Sequence, residues 1–472
     1  MSEGGSVIPP ELREIDHDYL FNVVLKRQAV AIDRNIVPPS EMIWGGIGIG
    51  KSTTIRRFAE WWLEHLRNKG VELKGIARFK ESEDYGKPEY LSLADIRLSQ
   101  YMPVDFRGIP DKDLKKIRKR EKPMPVTRWN IMELVAVEED SYGVMFFDEL
   151  NLGTEEAQKA ALEIILDRRV GGVKIPDTWV IVAAGNTTWH TGGTSEFLVI
   201  QLMDRLGHYY LRPPTADEWI KYNMQYEIPH PIVTAFVKEH AGRGVMYDVD
   251  PNALYLRKST PRSLSRLAKK LNMIEWTGIE QGSKEFEKAL VYEAQSEIGT
   301  HWADILKDFY NAIMKERIDL DAIWNDPHSA RIPDQLGSLW YITTGMISRF
   351  NEAYGKNPKE AIKRILLYAD RLAELGSGRY EKGKFVIRST AHREVGTVVF
   401  QNIMPKILGG EEDTLFEGLA KLDSETRMLM AKVCNKYEWA LPPDTKEILK
   451  KVEKEREEII MSKRRRRRRV TV

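Results

Sequence analysis

Apolar residues are distributed in two ways along the chain. Up to about residue 212, short and nearly unbroken apolar runs alternate with stretches in which apolar positions recur every three or four residues; beyond 213 only the second pattern persists. The runs "MIW" at 42–44, "GVMFF" at 143–147 and "WVIVAAGN" at 179–186 have the length and apolar continuity of strands buried on both faces. Between the first two, Ile55, Phe58, Ala59, Trp62 and Leu66 share one face of a helix predicted from Ser52 to about Lys69, with Gly70 as its cap. A second helix is predicted from about Thr154 to Arg169, and residues 15–40 read as helical until the prolines of "VPPSE". Buried strands alternating with helices predict a parallel α/β sheet whose loops, at the carboxyl ends of the strands, are available for binding.

The expected organisation follows from these patterns. A helical linker covers 1–40 and an α/β core covers 41–212, with residues from about 75 to 135 read as an insertion because they mix short apolar pieces with turns and the basic run "KKIRKREK". Helical regions follow over 213–300 and 301–445, broken at "IPHP", "STPRS", "NDPH", "GSGRYEKG" and "LPPD", and a charged helix and arginine-rich tail cover 446–472.

Composition narrows the class. The 72 basic and 70 acidic side chains among 472 residues leave a formal charge of +2, so no global field marks the molecule as a nucleic-acid binder. Charge is local: Lys463 and the block Arg464–Arg469 form a tail suited either to an anionic partner such as nucleic acid or simply to solvent. The basic run at 115–122 lacks interleaved aromatics and reads as a solvated face. Cys434, the only cysteine, excludes an internal disulfide and a cysteine-based zinc site, as in a reducing interior. With no secretory leader and no run of eighteen apolar residues, the expectation is a cytoplasmic protein without a membrane span. The histidines contain no HExxH pair, and His190 lacks an obvious second ligand, so magnesium is the only metal expected. Tryptophans such as 61, 62, 219, 340 and 439 read as packing residues.

Chemistry concentrates at three strand ends. "GGIGIGKST" follows the first strand and matches the phosphate-loop pattern through Gly45, Gly50, Lys51 and Ser52. The candidate nucleotide contacts are Gly45, Gly46, Ile47, Gly48, Ile49, Gly50, Lys51, Ser52 and Thr53. Glycines let backbone N–H groups face phosphate, Lys51 adds a cation and Ser52 a magnesium ligand; an ordinary strand-to-helix turn is the alternative. "VMFFDELN" delivers Asp148, a candidate magnesium ligand, and Glu149, a candidate base for an attacking water. That acid pair favours an ATP-hydrolysing motor over a small-molecule kinase, which needs no hydrolytic base. The guanine-reading pattern of GTPases is missing, since "NKYE" at 435–438 has glutamate in place of aspartate and lies in a helical stretch. Asn186 ends the third run, placed to touch a γ-phosphate or water, or else to form a turn. Arg205 in "LMDRLGHYYL" is placed either to reach a neighbouring subunit's phosphates or to pair with Asp204. Arg262 follows Pro261 at the start of a helix and suits an anionic partner.

The ensemble resembles the MoxR-type branch of the AAA+ ATPases. The resemblance is carried by "GGIGIGKST", "ADIRLSQYMPVDFRGIP" at 94–110, "GVMFFDELN", "AALEIILDRRVGGVKIPDTWVIVAAGN" at 160–186, "MDRL" at 203–206 and "TPRSL" at 260–264, with a weaker echo in "ILLYADRLAEL" at 365–375. It implies an AAA+ P-loop fold, a parallel sheet flanked by helices followed by a helical lid over 213–300 and further all-α structure, assembled as a homo-oligomeric ring, usually a hexamer. By position, Lys51 and Ser52 look like the Walker A pair, Asp148 and Glu149 like the Walker B pair, Asn186 like the first sensor, Arg205 like the arginine finger and Arg262 like the second sensor. "LSQYMPVDFRGIP" looks like a segment facing the pore or substrate. Two positions depart from the branch, which often has proline where Gly46 or Ile47 stands and an aromatic residue where Leu206 stands.

The function expected is hydrolysis of ATP with magnesium, driving the remodelling of a protein partner. The other readings are a nucleic-acid-translocating ATPase gripping through Arg464–Arg469 and a slowly hydrolysing assembly scaffold.

Overall fold

The computed structural model describes residues 12–107, 109–115, 124–130, 132–170, 173–187, 198–250, 258–376, 379–381, 384–386, 389–407 and 422–437. The basic run beyond Lys115, His190, Trp439 and the tail Arg464–Arg469 lie outside them. The described residues divide into two compact units, one within Met1–Pro214 and Tyr247–Arg262, the other within Thr215–Met246 and Ser263–Val472.

The first unit is built on a sheet of seven strands. In chain order these are β1 (Glu14–Ile15), β2 (Glu41–Gly45), β3 (Gly75–Arg78), β4 (Tyr90–Arg97), β5 (Tyr142–Asp148), β6 (Trp179–Gly185) and β7 (Gly207–Leu211). Across the sheet they lie in the order β1-β7-β2-β6-β5-β4-β3, every pair parallel. Side chains alternate between two cores. Ile43, Val144, Phe146, Val180 and Val182 pack with Ile55, Phe58, Trp62 and Leu66 of helix α1 (Lys51–Asn68), while Met42, Met145, Phe147, Ile181 and Ala183 pack with Ala157, Ala161 and Ile164. Burial on both faces is why these strands read as unbroken apolar runs. Helix α1 ends as predicted, with Gly70 at φ 87° and Val71 N–H returning to the Leu66 carbonyl at 3.0 Å.

Two expectations need correction. Glu14–Ile15 is a strand, paired with Tyr210–Leu211, and the helical stretch starts at His17. Residues 75–97 are not an insertion: they supply β3 and β4 of the sheet, whereas the antiparallel hairpin Ile109–Lys115 with Met124–Asn130 stands apart from it. β4 was concealed by polar residues inside it. Ser92 is fully buried and accepts from Gly86 N–H at 2.8 Å, while Asp95 accepts from Arg56 Nε of α1 at 3.1 Å. Each polar group is satisfied, so the strand bears them.

Register brings the catalytic candidates to one edge. Gly185 is level with Trp44, Leu211 with Gly45 and Arg97 with Asp148, so the loops after β2, β5 and β6 leave from the same end of the sheet. This is the carboxyl edge, where parallel sheets bind ligands.

The second unit is mostly helical, with a short hairpin of Arg379–Glu381 and Lys384–Val386. One apolar cluster runs from Ala216 to Tyr437, so the helices expected as separate regions on either side of residue 300 share a core. The helix Lys284–Lys315 crosses that boundary and breaks at Gly299, whose φ of 80° is left-handed. Trp219 and Trp340 are buried in this core, as Trp62 is in the first unit. No described helix is long and apolar enough to cross a membrane.

Candidate active site

Between β2 and α1 the chain turns through the glycine loop. Gly48 and Gly50 have φ of 73° and 106°, a backbone that side-chained residues rarely adopt, and Gly50 caps α1. The helix therefore starts at Lys51, and the N–H groups of its first turn face outward along its axis with the positive end of the helix dipole.

Lys51 is 7% exposed, and its ammonium donates to the carbonyls of Gly45 at 3.0 Å and Gly46 at 2.8 Å and to Asn186 Oδ1 at 2.8 Å. Three donors thus meet three acceptors, satisfying a buried cation by dipoles. Burial lowers its pKa to about 8; Asp148 and Glu149 oppose that shift and Arg262 adds to it. The next residue reaches the neighbouring strand: Ser52 Oγ donates to Asp148 Oδ2 at 2.7 Å. A hydroxyl and a carboxylate held together are hard oxygens of the kind magnesium takes, alongside phosphate and water. These two residues fit the expected ion, and among the described residues no cluster of three histidine, cysteine or acidic side chains offers another metal site.

Glu149 lies just past the end of β5, at φ 56° and ψ 36°, a conformation uncommon outside glycine, with its N–H donated to Asp148 Oδ1 at 3.0 Å. Ser99, beyond the end of β4, donates from Oγ to Glu149 Oε2 at 3.1 Å. The strained backbone turns the glutamate out of the strand direction, and the serine fixes where its carboxylate points.

Asn186 follows β6 and is gripped from both sides of its peptide. Asn151 Nδ2 donates to its carbonyl at 2.7 Å and Asn151 Oδ1 accepts its N–H at 3.2 Å. Its side chain therefore stands on Lys51, where a phosphate bound to that lysine would be within reach of both.

The arginines differ. Arg262 is the second residue of helix α2 (Pro261–Trp276); its N–H donates to the Gly48 carbonyl at 3.1 Å and its side chain is exposed. Arg205 lies in the turn between Ile200–Met203 and β7 with its side chain exposed. Among the described residues no carboxylate pairs with it, so the alternative pairing with Asp204 is not formed, and no hydrogen bond joins it to the loop. The structure brings together Lys51, Ser52, Asp148, Glu149, Asn186 and the backbone of Arg262, and leaves Arg205 apart.

Sequence reasoning missed several supports. Asn151 and Ser99 sat inside the quoted motifs "VMFFDELN" and "LSQYMPVDFRGIP" without a role, because their partners are distant in sequence. His17 Nε2 contacts the Ile49 carbonyl at 2.8 Å; since a carbonyl only accepts, this nitrogen carries the proton. Tyr247 accepts the Ile47 N–H at 3.1 Å.

No family model and no curated protein sequence matches the chain. Among solved structures it is similar to a point mutant of RuvB from Thermotoga maritima, at 13% identity over 81% of this chain and 95% of that one, with a TM-score of 0.31. It is also similar to the ADP form of ORC2 from Aeropyrum pernix, at 11% identity over 85% and 97% with a TM-score of 0.32, and to C. elegans PCH-2, at 14% identity over 65% and 70% with a TM-score of 0.27. A parallel sheet with β2 inside it and helices packed on both faces, the glycine loop on β2, the acid pair after β5 and a mostly helical second unit match the class expected from the sequence, an α/β parallel sheet flanked by helices and followed by α-helical structure.

Proposed function

We propose, from that fold class and this site, that the chain is a MoxR-like AAA+ ATPase that hydrolyses ATP with magnesium in a ring assembly and uses the cycle to remodel a protein partner. The observation that carries the reading is the chain of contacts from Lys51 to Asn186 and from Ser52 through Asp148 to Glu149, which sets a phosphate-binding cation, a magnesium-type oxygen pair and a candidate base around one strand edge.

In this reading the backbone N–H groups of the loop and Lys51 bind the phosphates of ATP, and Ser52 and Asp148 hold magnesium, which when bound supplies positive charge to the phosphate oxygens. Glu149 orients a water for in-line attack on the γ-phosphate and takes its proton. Lys51 and a neighbouring subunit's Arg205 stabilise the charge that builds on the transferred group. Asn186 senses the γ-phosphate through the lysine they share, and Arg262, beside Gly48 and at the start of α2, couples its loss to lid movement.

Glu149→Gln is the test. It should retain ATP binding, lower hydrolysis by roughly two to three orders of magnitude and trap an ATP-bound assembly with its client. A variant that binds ATP and hydrolyses it at the wild-type rate removes Glu149 as the base.

A further inference from the structure

The phosphate loop is gripped by a residue far away in the chain. Ile47 N–H donates to Tyr247 Oη at 3.1 Å, and the ring of Tyr247 fills the space where residue 46 would carry a side chain. A Cβ placed on Gly46 would meet Tyr247 Oη at 2.2 Å, Cζ at 2.5 Å and Cε2 at 3.0 Å, and these are its three nearest atoms. Gly46 is not among the glycines of positive φ, so the backbone itself would admit alanine. Glycine is needed at this position because of the tyrosine.

The other end of the same segment closes on the loop as well. Arg262 N–H reaches the Gly48 carbonyl at 3.1 Å, and Thr260 Oγ1 lies 2.9 Å from where a Cβ on Gly48 would sit. Tyr247 and Arg262 bound the stretch that belongs to the first unit, although the chain on both sides of it belongs to the second. Tyr247 is partly buried, and burial raises the pKa of its phenol, so the hydroxyl stays neutral at ordinary pH.

We propose that Tyr247 is a positioning residue for nucleotide binding, locking the Gly46–Ile47 peptide so that the loop presents its remaining N–H groups to phosphate already in place. A loop this rich in glycine has many backbone states, and a ligand that has to select one of them binds more weakly than it binds a loop already ordered. The contact lies on the first half of the loop, away from Asp148 and Glu149, so it acts on affinity rather than on the chemical step. The inference rests on the reading of this loop as a nucleotide site.

Equilibrium binding of a fluorescent ATP analogue, with kcat and KM for ATP, tests it on the full chain. Tyr247→Phe keeps the ring and loses the hydrogen bond; it should weaken binding about three- to tenfold and raise KM similarly, with kcat at saturation within about twofold of wild type. Gly46→Ala should weaken binding at least as much by displacing the ring. In a Tyr247→Ala background, adding Gly46→Ala should change the Kd less than about twofold, because the obstructing group is gone. Unchanged affinity in Tyr247→Phe, an equal cost of Gly46→Ala with and without the tyrosine ring, or a fall in kcat that tracks a lost folded fraction would each overturn the proposal. If wild type, like a Lys51→Ala control, fails to bind the analogue, the nucleotide reading itself fails; if only the control fails, that reading stands and the Tyr247 variants decide the inference.

Discussion

Lys51, Ser52, Asp148, Asn151 and Asn186 hold one another through short hydrogen bonds, whereas Arg205 and Arg262 carry exposed guanidiniums that no described carboxylate neutralises. The two halves of the site obey different physics. A buried ammonium must find acceptors inside the chain, because an unpaired one would cost several kcal/mol, on the order of a domain's whole stability. An exposed arginine meets no such demand and can keep its charge for a phosphate that arrives from another surface. The first half is therefore set by folding alone. The second gains its chemical meaning only in an assembly, if the proposed ring forms.

The strongest way to break this contrast is Arg205→Ala. If the guanidinium acts on a neighbour's nucleotide, hydrolysis should fall by about 10³-fold or more while the Kd for ATP is unchanged. Mixing Arg205→Ala with Lys51→Ala subunits should then restore part of the activity, since each kind of subunit supplies what the other lacks. Steady-state ATPase assays of the single variants and the mixture measure both effects. Wild-type turnover in Arg205→Ala would leave the exposed half outside the reaction.

The same contrast explains what the sequence allowed one to read. The glycine loop between β2 and α1 and the strand β5 were legible because each is a local pattern, glycines before a lysine or an apolar run ending in acids. The parts that were not legible depend on pairs that meet only in three dimensions. Ser92 and Asp95 broke the apolar run of β4, and nothing nearby in sequence revealed Gly86 and Arg56 as their partners. Asn151 follows the acid pair by two residues, and its role is visible only once β6 lies beside β5. The missing proline at positions 46 and 47 has the same kind of cause: Ile47 uses the N–H that proline lacks, and Tyr247 occupies the space beside Gly46.

A smaller effect sharpens the contrast through pH. Burial lowers the Lys51 pKa to about 8, from 10.5. Above pH 8 the folded chain releases this proton while the unfolded chain keeps it, so the unfolded state binds more protons and this group's contribution to stability rises with pH up to about 10.5. Nucleotide binding should respond in the opposite direction. Phosphate favours the charged lysine, so binding at pH 8.5 should take up a proton, and above about pH 8 affinity should fall by up to about tenfold per unit from this group. Calorimetry in buffers of different ionisation enthalpy measures the uptake, and Lys51→Met should abolish both the pH-linked stability and nucleotide binding. An exposed arginine, charged at all these pH values, gives no such signal. A binding reaction without proton uptake at pH 8.5 would show that the lysine is already charged in the free chain.

The smallest expected effect concerns Ser99, whose hydroxyl is the one described side-chain donor to Glu149. Accepting this bond holds the carboxylate toward Ser99, just beyond the end of β4. Ser99→Ala removes the donor without leaving a buried group unsatisfied, because serine and glutamate meet at a solvent-exposed position. A net bond strength of about 1 kcal/mol corresponds to roughly a fivefold change in the fraction of glutamate free to turn toward water. Basal hydrolysis should therefore rise about two- to fivefold, with KM for ATP and melting temperature unchanged. A fall in kcat instead would mean that Ser99 aims the base rather than restrains it. Glu149 would then belong with the buried half, as a group whose working geometry is complete before any neighbour arrives, and the division between the two halves would lie between Glu149 and the arginines.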